Sequence, residues 1–198
     1  MSVPDPRAGP GAAAGLRLGG CLTDIVELAT LRARASQFET LAGERGLQLP
    51  RLGHVVRAGD QLVLCVRPQR HLLLAPAANP GVTAGDWQAA GAGVGTAVDL
   101  SSGLTALHLA GPAAREVLVR SCRLDLDPHA FPVGAAAATV IAQVPAILAA
   151  LSSGLLLLTP ASSAAHVRGW LAERAQPFGF MPQPDVTVAA LLSGDQCT

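Results

Sequence analysis

Lysine and tyrosine are both absent from the 198 residues. Without lysine there is no Schiff-base or lysine general-base chemistry, and no Walker-type phosphate loop. Without tyrosine there is no phenolic acid or base. Charge is sparse at 14%, with 14 basic and 14 acidic residues cancelling to a formal net of zero. Such a chain lacks the electrostatic footprint of a nucleic-acid binder and the polybasic patch that anionic membranes attract. Its partners are therefore proteins or small molecules. The four cysteines, Cys21, Cys65, Cys122 and Cys197, form no C-x-x-C pair, which excludes zinc-finger and thioredoxin spacings. They read as reduced thiols of a cytoplasmic protein. The opening "MSVPDPRAGPGAAAG" lacks the apolar run of a signal peptide, and residues 1–20 read as a flexible tail. No Asp, Glu or Arg falls between Asp127 and Arg168. Pro132, Gly134, Gln143, Pro145, Gly154 and Pro160 interrupt that stretch, so no run reaches the roughly 20 apolar residues of a spanning helix. It reads as buried strands and a core helix.

What is present is apolar: 50% of the chain is hydrophobic, enough for one large domain or two small ones. Residues 24–36 alternate loosely, as a strand does, and residues 37–46 have helical spacing and stop at Gly46. Residues 47–53 form a turn-rich connector, and two strands follow, Gln61–Val66 and His71–Ala75, joined at a Pro-containing turn. Residues 83–93 read as a short helix anchored by Trp87, and residues 93–111 as a hairpin around Ser101-Ser102-Gly103. "TALHLAGPAAREVLVRSC" is then echoed by "GLLLLTPASSAAHVRGWL". Each is an apolar strand, a turn and a helix. Ala114, Val117 and Leu118, with Ser121 and Cys122, make one helical stripe; Ala164, Val167, Trp170 and Leu171 make the other, with Ser162 or Ser163 as N-cap. The pattern predicts an α+β fold of duplicated strand–helix units laid on antiparallel sheets. That domain would span residues 21–175, possessing one or two subdomains. A Pro-broken extension, residues 176–198, carries the apolar anchors Phe178, Phe180 and Met181.

The densest collection of chemically able side chains is "SCRLDLDPHAF", with Cys122, Asp125, Asp127 and His129. Pro128 and the Leu-Asp-Leu-Asp alternation favour an extended segment over a helix. In a strand, Asp125, Asp127 and His129 would share a face. Two carboxylates and one imidazole leave a metal under-coordinated, and no second cluster adds ligands. Nucleophilic use of Cys122 would need a base, His129 or His108, and a lowered thiol pKa. The plainer reading is a scaffold: Cys122 buried at a helix end, Asp125 or Asp127 bonding loop N–H groups. "GAGVGT" lacks the last glycine of a dinucleotide fingerprint. His54, His71, His108 and His166 share no spacing. No catalytic, cofactor-binding or metal-ligating residue is assigned on this chain.

The stretch from Asp99 to Leu148 resembles the gamma subunit family of heterotetrameric sarcosine oxidase. That family runs a "DLS-G" turn, a strand, "GP-AR-LL", a helix, then "C-LDL-P--FP-G" and a Thr entering the next strand. Here these are Asp99-Leu100-Ser101, Gly111-Pro112, Ala114-Arg115, Cys122, Leu124-Asp125-Leu126, Pro128, Phe131-Pro132, Gly134 and Thr139. Ordered likeness extends over about residues 26–171. The resemblance implies a fold related to the folate-binding domain of the glycine cleavage aminomethyltransferase. It also implies a non-catalytic assembly subunit with alpha, beta and delta type partners. The complex, which oxidatively demethylates sarcosine or a related N-methyl amino acid, would carry FAD, FMN, NAD and zinc, with tetrahydrofolate as co-substrate. None of these is expected on this chain. The sequence departs from the pattern where His71 replaces a Trp, Asp127 a His and Ala138 a Gln. Arg123, Asp125, Asp127, His129 and Phe131 are the candidate partner-contact or structural loop. The alternative is a stand-alone folate-binding or aminomethyltransferase-like protein.

Overall fold

The computed structural model describes residues 15–77 and 81–193. The molecule is built from two runs of elements in the same order. The first is β1 (Leu16–Thr30), α1 (Ala35–Glu44), the meander β2 (His54–Ala58), β3 (Gln61–Arg67) and β4 (Arg70–Pro76), then α2 (Val82–Ala90). After β5 (Gly95–Asp99) comes the second run. It comprises β6 (Leu104–Ala110), α3 (Ala114–Val119), β7 (Ala136–Ile141), β8 (Val144–Leu151), β9 (Gly154–Pro160) and α4 (Ala164–Ala175). The strands lie in the order β2-β3-β4-β1-β6-β9-β8-β7, so the two halves meet back to back at the antiparallel β1–β6 pair. This is the α+β fold with duplicated strand–helix units that the sequence predicts. The repeat itself is longer than the echo suggests. β6–α3 and β9–α4 both belong to the second half, where β6 and β9 pair with each other.

The apolar strand runs have no polar alternation because both faces of the sheet are covered. Leu62, Leu64, Leu72, Leu74, Leu156 and Leu158 point into one inner core. Val63 and Leu73 face outward, against Phe38, Ala42 and Trp87 of α1 and α2. Leu155 and Leu157 face Val117, Leu118, Val167 and Leu171 of α3 and α4. Fully burying one such leucine is worth about 1.5–3 kcal/mol. The long charge-free stretch is thus strands β7, β8 and β9 with the start of α4. Among the described residues no helix is long and apolar enough to cross a membrane.

The sheet curls until its outer strands nearly touch. His54 and Ala135 form an isolated bridge, the Val55 N–H donates to the Gly134 carbonyl at 2.9 Å, and the Ala136 N–H to Gly53 at 2.8 Å. The inner core of this near-barrel is completed by α5 (Val188–Ser193), through Val188, Leu191 and Leu192.

Two local expectations change. β5 and β6 do not pair as a hairpin. Both lie along β1, β5 on Val26–Thr30 and β6 on Arg17–Cys21. The Asp99-Leu100-Ser101 turn carries the chain from one half of β1 to the other. There the Leu100 N–H donates to the Ile25 carbonyl at 2.8 Å, and Ser101 Oγ accepts from the Ile25 N–H at 3.0 Å. A side chain thereby satisfies the backbone where the neighbouring strand is interrupted. Second, β1 starts at Leu16, inside the stretch read as tail, and Leu16 and Leu18 are buried. Residues 1–14 and Cys197 lie outside the described residues. Ser163 stands at the α4 N-cap but makes no side-chain cap bond.

The segment after α4 is laid parallel along β1 as β10 (Phe180–Pro182) and β11 (Val186–Thr187). Glycine at two β1 positions makes room for it. A Cβ on Gly19 would stand 2.8 Å from the Pro184 carbonyl oxygen, and one on Gly20 2.6 Å from Asp185 Oδ1.

Candidate functional site

The loop between α3 and β7 contains the whole "SCRLDLDPHAF" stretch. It is irregular, neither helix nor strand. Leu126 and Phe131 are buried in the core beneath α3 and α4, with Leu124 and Cys122 partly buried against it. Its backbone is held from beneath by one side chain. Arg115 of α3 donates from Nη1 to the Leu126 carbonyl at 2.7 Å and to the Phe131 carbonyl at 2.9 Å. Arg123, Asp125, Asp127 and His129 are exposed. The two carboxylates act on the loop itself: Asp125 Oδ1 accepts from the Asp127 N–H at 2.9 Å, and Asp127 Oδ1 from the His129 N–H at 2.8 Å. These are turns of the kind Asp forms with the backbone two residues on. The Asp127 carbonyl then accepts from the Ala130 and Phe131 N–H groups.

Asp125, Asp127 and His129 are therefore adjacent without forming a ligand set. Among the described residues no group of three His, Cys, Asp or Glu side chains is placed to hold a metal. Cys122 Sγ lies 3.2 Å from Thr139 Oγ1. His108, considered as its base, is engaged elsewhere. Its Nε2 faces the Ser153 carbonyl at 3.1 Å, and its Nδ1 lies 3.0 Å from Gln183 Nε2. A carbonyl only accepts, so Nε2 carries the hydrogen and Nδ1 accepts from Gln183. Burial pushes the His108 pKa below its ordinary value. Burial likewise pushes Cys21 up to about 12, a thiol that stays protonated.

The third aspartate of the central region, Asp99, accepts at Oδ1 from the Ser101 N–H and hydroxyl at 2.9 and 2.6 Å. Those bonds hold its carboxyl below the usual range. All three aspartates are thus turned onto their own loops.

Sequence reasoning missed two arrangements. One is Arg115 as the support of the loop. Its signal was an arginine on the apolar helix immediately before a segment whose carbonyls have no strand to pair with. The other is Glu27, buried on β1 between two arginines from the ends of the β3–β4 hairpin. Arg67 Nη2 donates to its Oε2 at 2.6 Å, and Arg70 Nη1 to its Oε1. No spacing could reveal it, since the pair spans 40 residues or more. His71 is buried with Nε2 3.2 Å from the Pro50 carbonyl, and burial pushes its pKa down.

Against known proteins, the family model described as "Sarcosine oxidase, gamma subunit family" matches residues 33–174. A sarcosine oxidase subunit gamma of Corynebacterium sp. (strain P-1) is 34% identical over 148 residues, 73% of this chain and 72% of that one. One of Arthrobacter sp is 40% identical over 111 residues, and the match spans 54% of each chain, about half the relative's length. Among solved structures, a chain of heterotetrameric sarcosine oxidase from Corynebacterium sp. U-96 in complex with pyrrole 2-carboxylate superposes with TM-score 0.73 and 31% identity. That match covers 82% of this chain and 85% of that one. Aminomethyltransferase T of the glycine cleavage system from Bartonella henselae superposes with TM-score 0.64 at 16% identity, covering 93% of this chain and 52% of that one. That likeness is one of fold alone. With the family model matched over residues 33–174 and a relative 34% identical over 73% of this chain, the chain belongs to the sarcosine oxidase gamma subunit family.

Proposed function

We propose that this chain is the gamma-type assembly subunit of a heteromeric, flavin-dependent complex of the sarcosine oxidase type, without catalytic groups of its own. The complex oxidatively demethylates sarcosine or a related secondary or N-methyl amino acid in the cytoplasm. Alpha, beta and delta type chains are its partners. They carry FAD, FMN, NAD and zinc, and tetrahydrofolate is the co-substrate. The observation that carries this reading is the superposition on a chain of a heterotetrameric sarcosine oxidase, over four fifths of both chains at 31% identity. The local chemistry supports it. The carboxylates of the signature loop bond their own backbone, the Cys122 thiol faces a threonine hydroxyl, and α5 fills the inner core with leucines.

The test is a tagged pull-down from the native host with the visible spectrum of the eluate. Two large chains and a small one should co-elute with flavin absorbance. A colourless chain eluting alone would overturn the reading and make folate titration of the isolated chain the next measurement. Within an intact, fully flavinated complex, Cys122→Ser with His129→Ala should leave turnover unchanged; loss of turnover there would put catalysis on this chain.

A further inference from the structure

A cleft of about 510 Å³ opens between the end of α3, the β7–β8 turn and the outer face of α4. It is lined by Arg120, Ser121, Ala142, Gln143, Val144, His166 and Trp170. Among the described residues no acidic side chain lines it. Arg120 is exposed, and its guanidinium has no hydrogen bond or ion pair among the described residues. Of the other polar groups, Ser121 Oγ donates to the Leu118 carbonyl at 3.0 Å, His166 Nε2 faces the Ala142 carbonyl at 3.4 Å, and Gln143 is exposed at the tip of the β7–β8 turn. Trp170 is half-buried, with Arg174 stacked on its ring at 5.3 Å. The turn that forms the opposite wall is a two-residue hairpin, with Ala142 at φ 50° and Gln143 at φ 65°. A left-handed pair of this kind follows the twist of the strands and normally favours Asn-Gly.

We propose that this cleft is a contact surface that receives an acidic side chain of a partner polypeptide, with the carboxylate on Arg120 and the stem of the side chain against Trp170. The inference rests on the assembly reading above. The exposed Arg120 and the exposed amide of Gln143, beside an apolar wall of Ala142, Val144 and Trp170, give a small molecule too few fixed polar groups to be oriented. Small-molecule sites enclose their ligand and converge several such groups on it. A carboxylate delivered on a partner's backbone needs one strong, charge-assisted anchor. Tryptophan and arginine are the residue types that dominate binding energy at protein interfaces.

The test is co-expression with the other chains of the complex, comparing wild type, Arg120→Glu, Trp170→Ala and the control Arg32→Glu. Arg32 is also exposed, on the first half of the molecule. Arg120→Glu should cut the retained partner chains by about tenfold or more, since it sets like charges face to face, while Arg32→Glu retains them. Thermal melts show whether the half-buried Trp170 variant stays folded; the exposed Arg120 variant carries the test without it. Equal retention by Arg120→Glu and wild type overturns the cleft as a contact surface and leaves the assembly role standing. Equal loss with both arginine variants also overturns it, as a general charge effect. Wild type that retains no partner overturns the assembly role and the cleft together.

Discussion

At the scale of single residues, position and burial decide chemistry more than residue type does. Arg115 answers two loop carbonyls with one guanidinium nitrogen. Arg115→Met keeps much of the side-chain bulk but leaves both carbonyls without that donor. It should destabilise the fold by roughly 1.5–3 kcal/mol, the range for hydrogen bonds to a charged group, as read by urea unfolding. His108 and His71 are held neutral by burial. Their folded pKa values lie below the ordinary 6.5. The unfolded chain therefore binds protons that the folded chain refuses as pH falls. Their contribution to stability is full above that value and is lost as pH drops through the folded pKa values. Stability should decline on acidification from about pH 6.5, and His108→Gln should make the decline shallower. An unchanged slope in that variant would show that His108 is not the group responsible. Cys21, pushed up to about 12, should resist iodoacetamide in the native protein at pH 8 and react once the chain is unfolded. Mass mapping of the labelled thiols reads both states.

At the scale of elements, the C-terminal segment is the part least predictable from local pattern. Pro177, Pro182 and Pro184 deny it a long helix, yet it is laid along β1 and ends in a helix that completes the inner core. The two glycines on β1 and the helix at the end depend on each other through this crossing. Gly19→Ala brings a Cβ to 2.8 Å from a backbone oxygen of the segment. It should cost about 1–3 kcal/mol, as overpacking does, and raise hydrogen exchange selectively over residues 180–193. Leu191→Ala, at a position 5% exposed, should cost about 2–5 kcal/mol through lost burial and the cavity left behind. The same dependence on distant partners explains β5. Its residues look like half of a hairpin because a turn precedes β6, but the strand each can pair with is the long β1 that serves both.

At the scale of the whole molecule, two half-sheets joined at β1–β6 carry a helix layer on each outer face and share one inner core. The helix layers differ in what they leave uncovered. On the first half, Trp87 is buried against Phe38 with their ring centroids 6.3 Å apart, and Arg45 stacks over it. On the second half, Trp170 is only half-buried, beside the exposed Arg120. A neutral chain with isolated cations of this kind recognises a partner through specific contacts more than through a broad electrostatic field. Assembly of the complex should accordingly depend only weakly on ionic strength, apart from the contribution of the arginine cleft. A pull-down series from 50 to 500 mM salt measures this. Steep loss of partner with the Arg120→Glu variant as well as with wild type would place the main charge contacts elsewhere.

The class of fold, most of the strands and helices and the family are legible in the order of residues along the chain. Those follow from local physics: unbroken apolar runs where a strand is buried on both faces, helical stripes, glycine and proline stops, and a motif whose order the chain preserves. The bonding of Asp125 and Asp127 to their own backbone is likewise legible, since Asp-x-Asp-Pro-x segments close turns on themselves. Folding in three dimensions decided which strands pair, that β1 serves both halves, that Arg115 holds the loop from below and that Glu27 lies between Arg67 and Arg70. It also decided that Trp170 and Arg120 share a cleft. Each of these joins groups that lie far apart along the chain, and no periodicity of 2 or 3.6 residues records a contact made across a sheet.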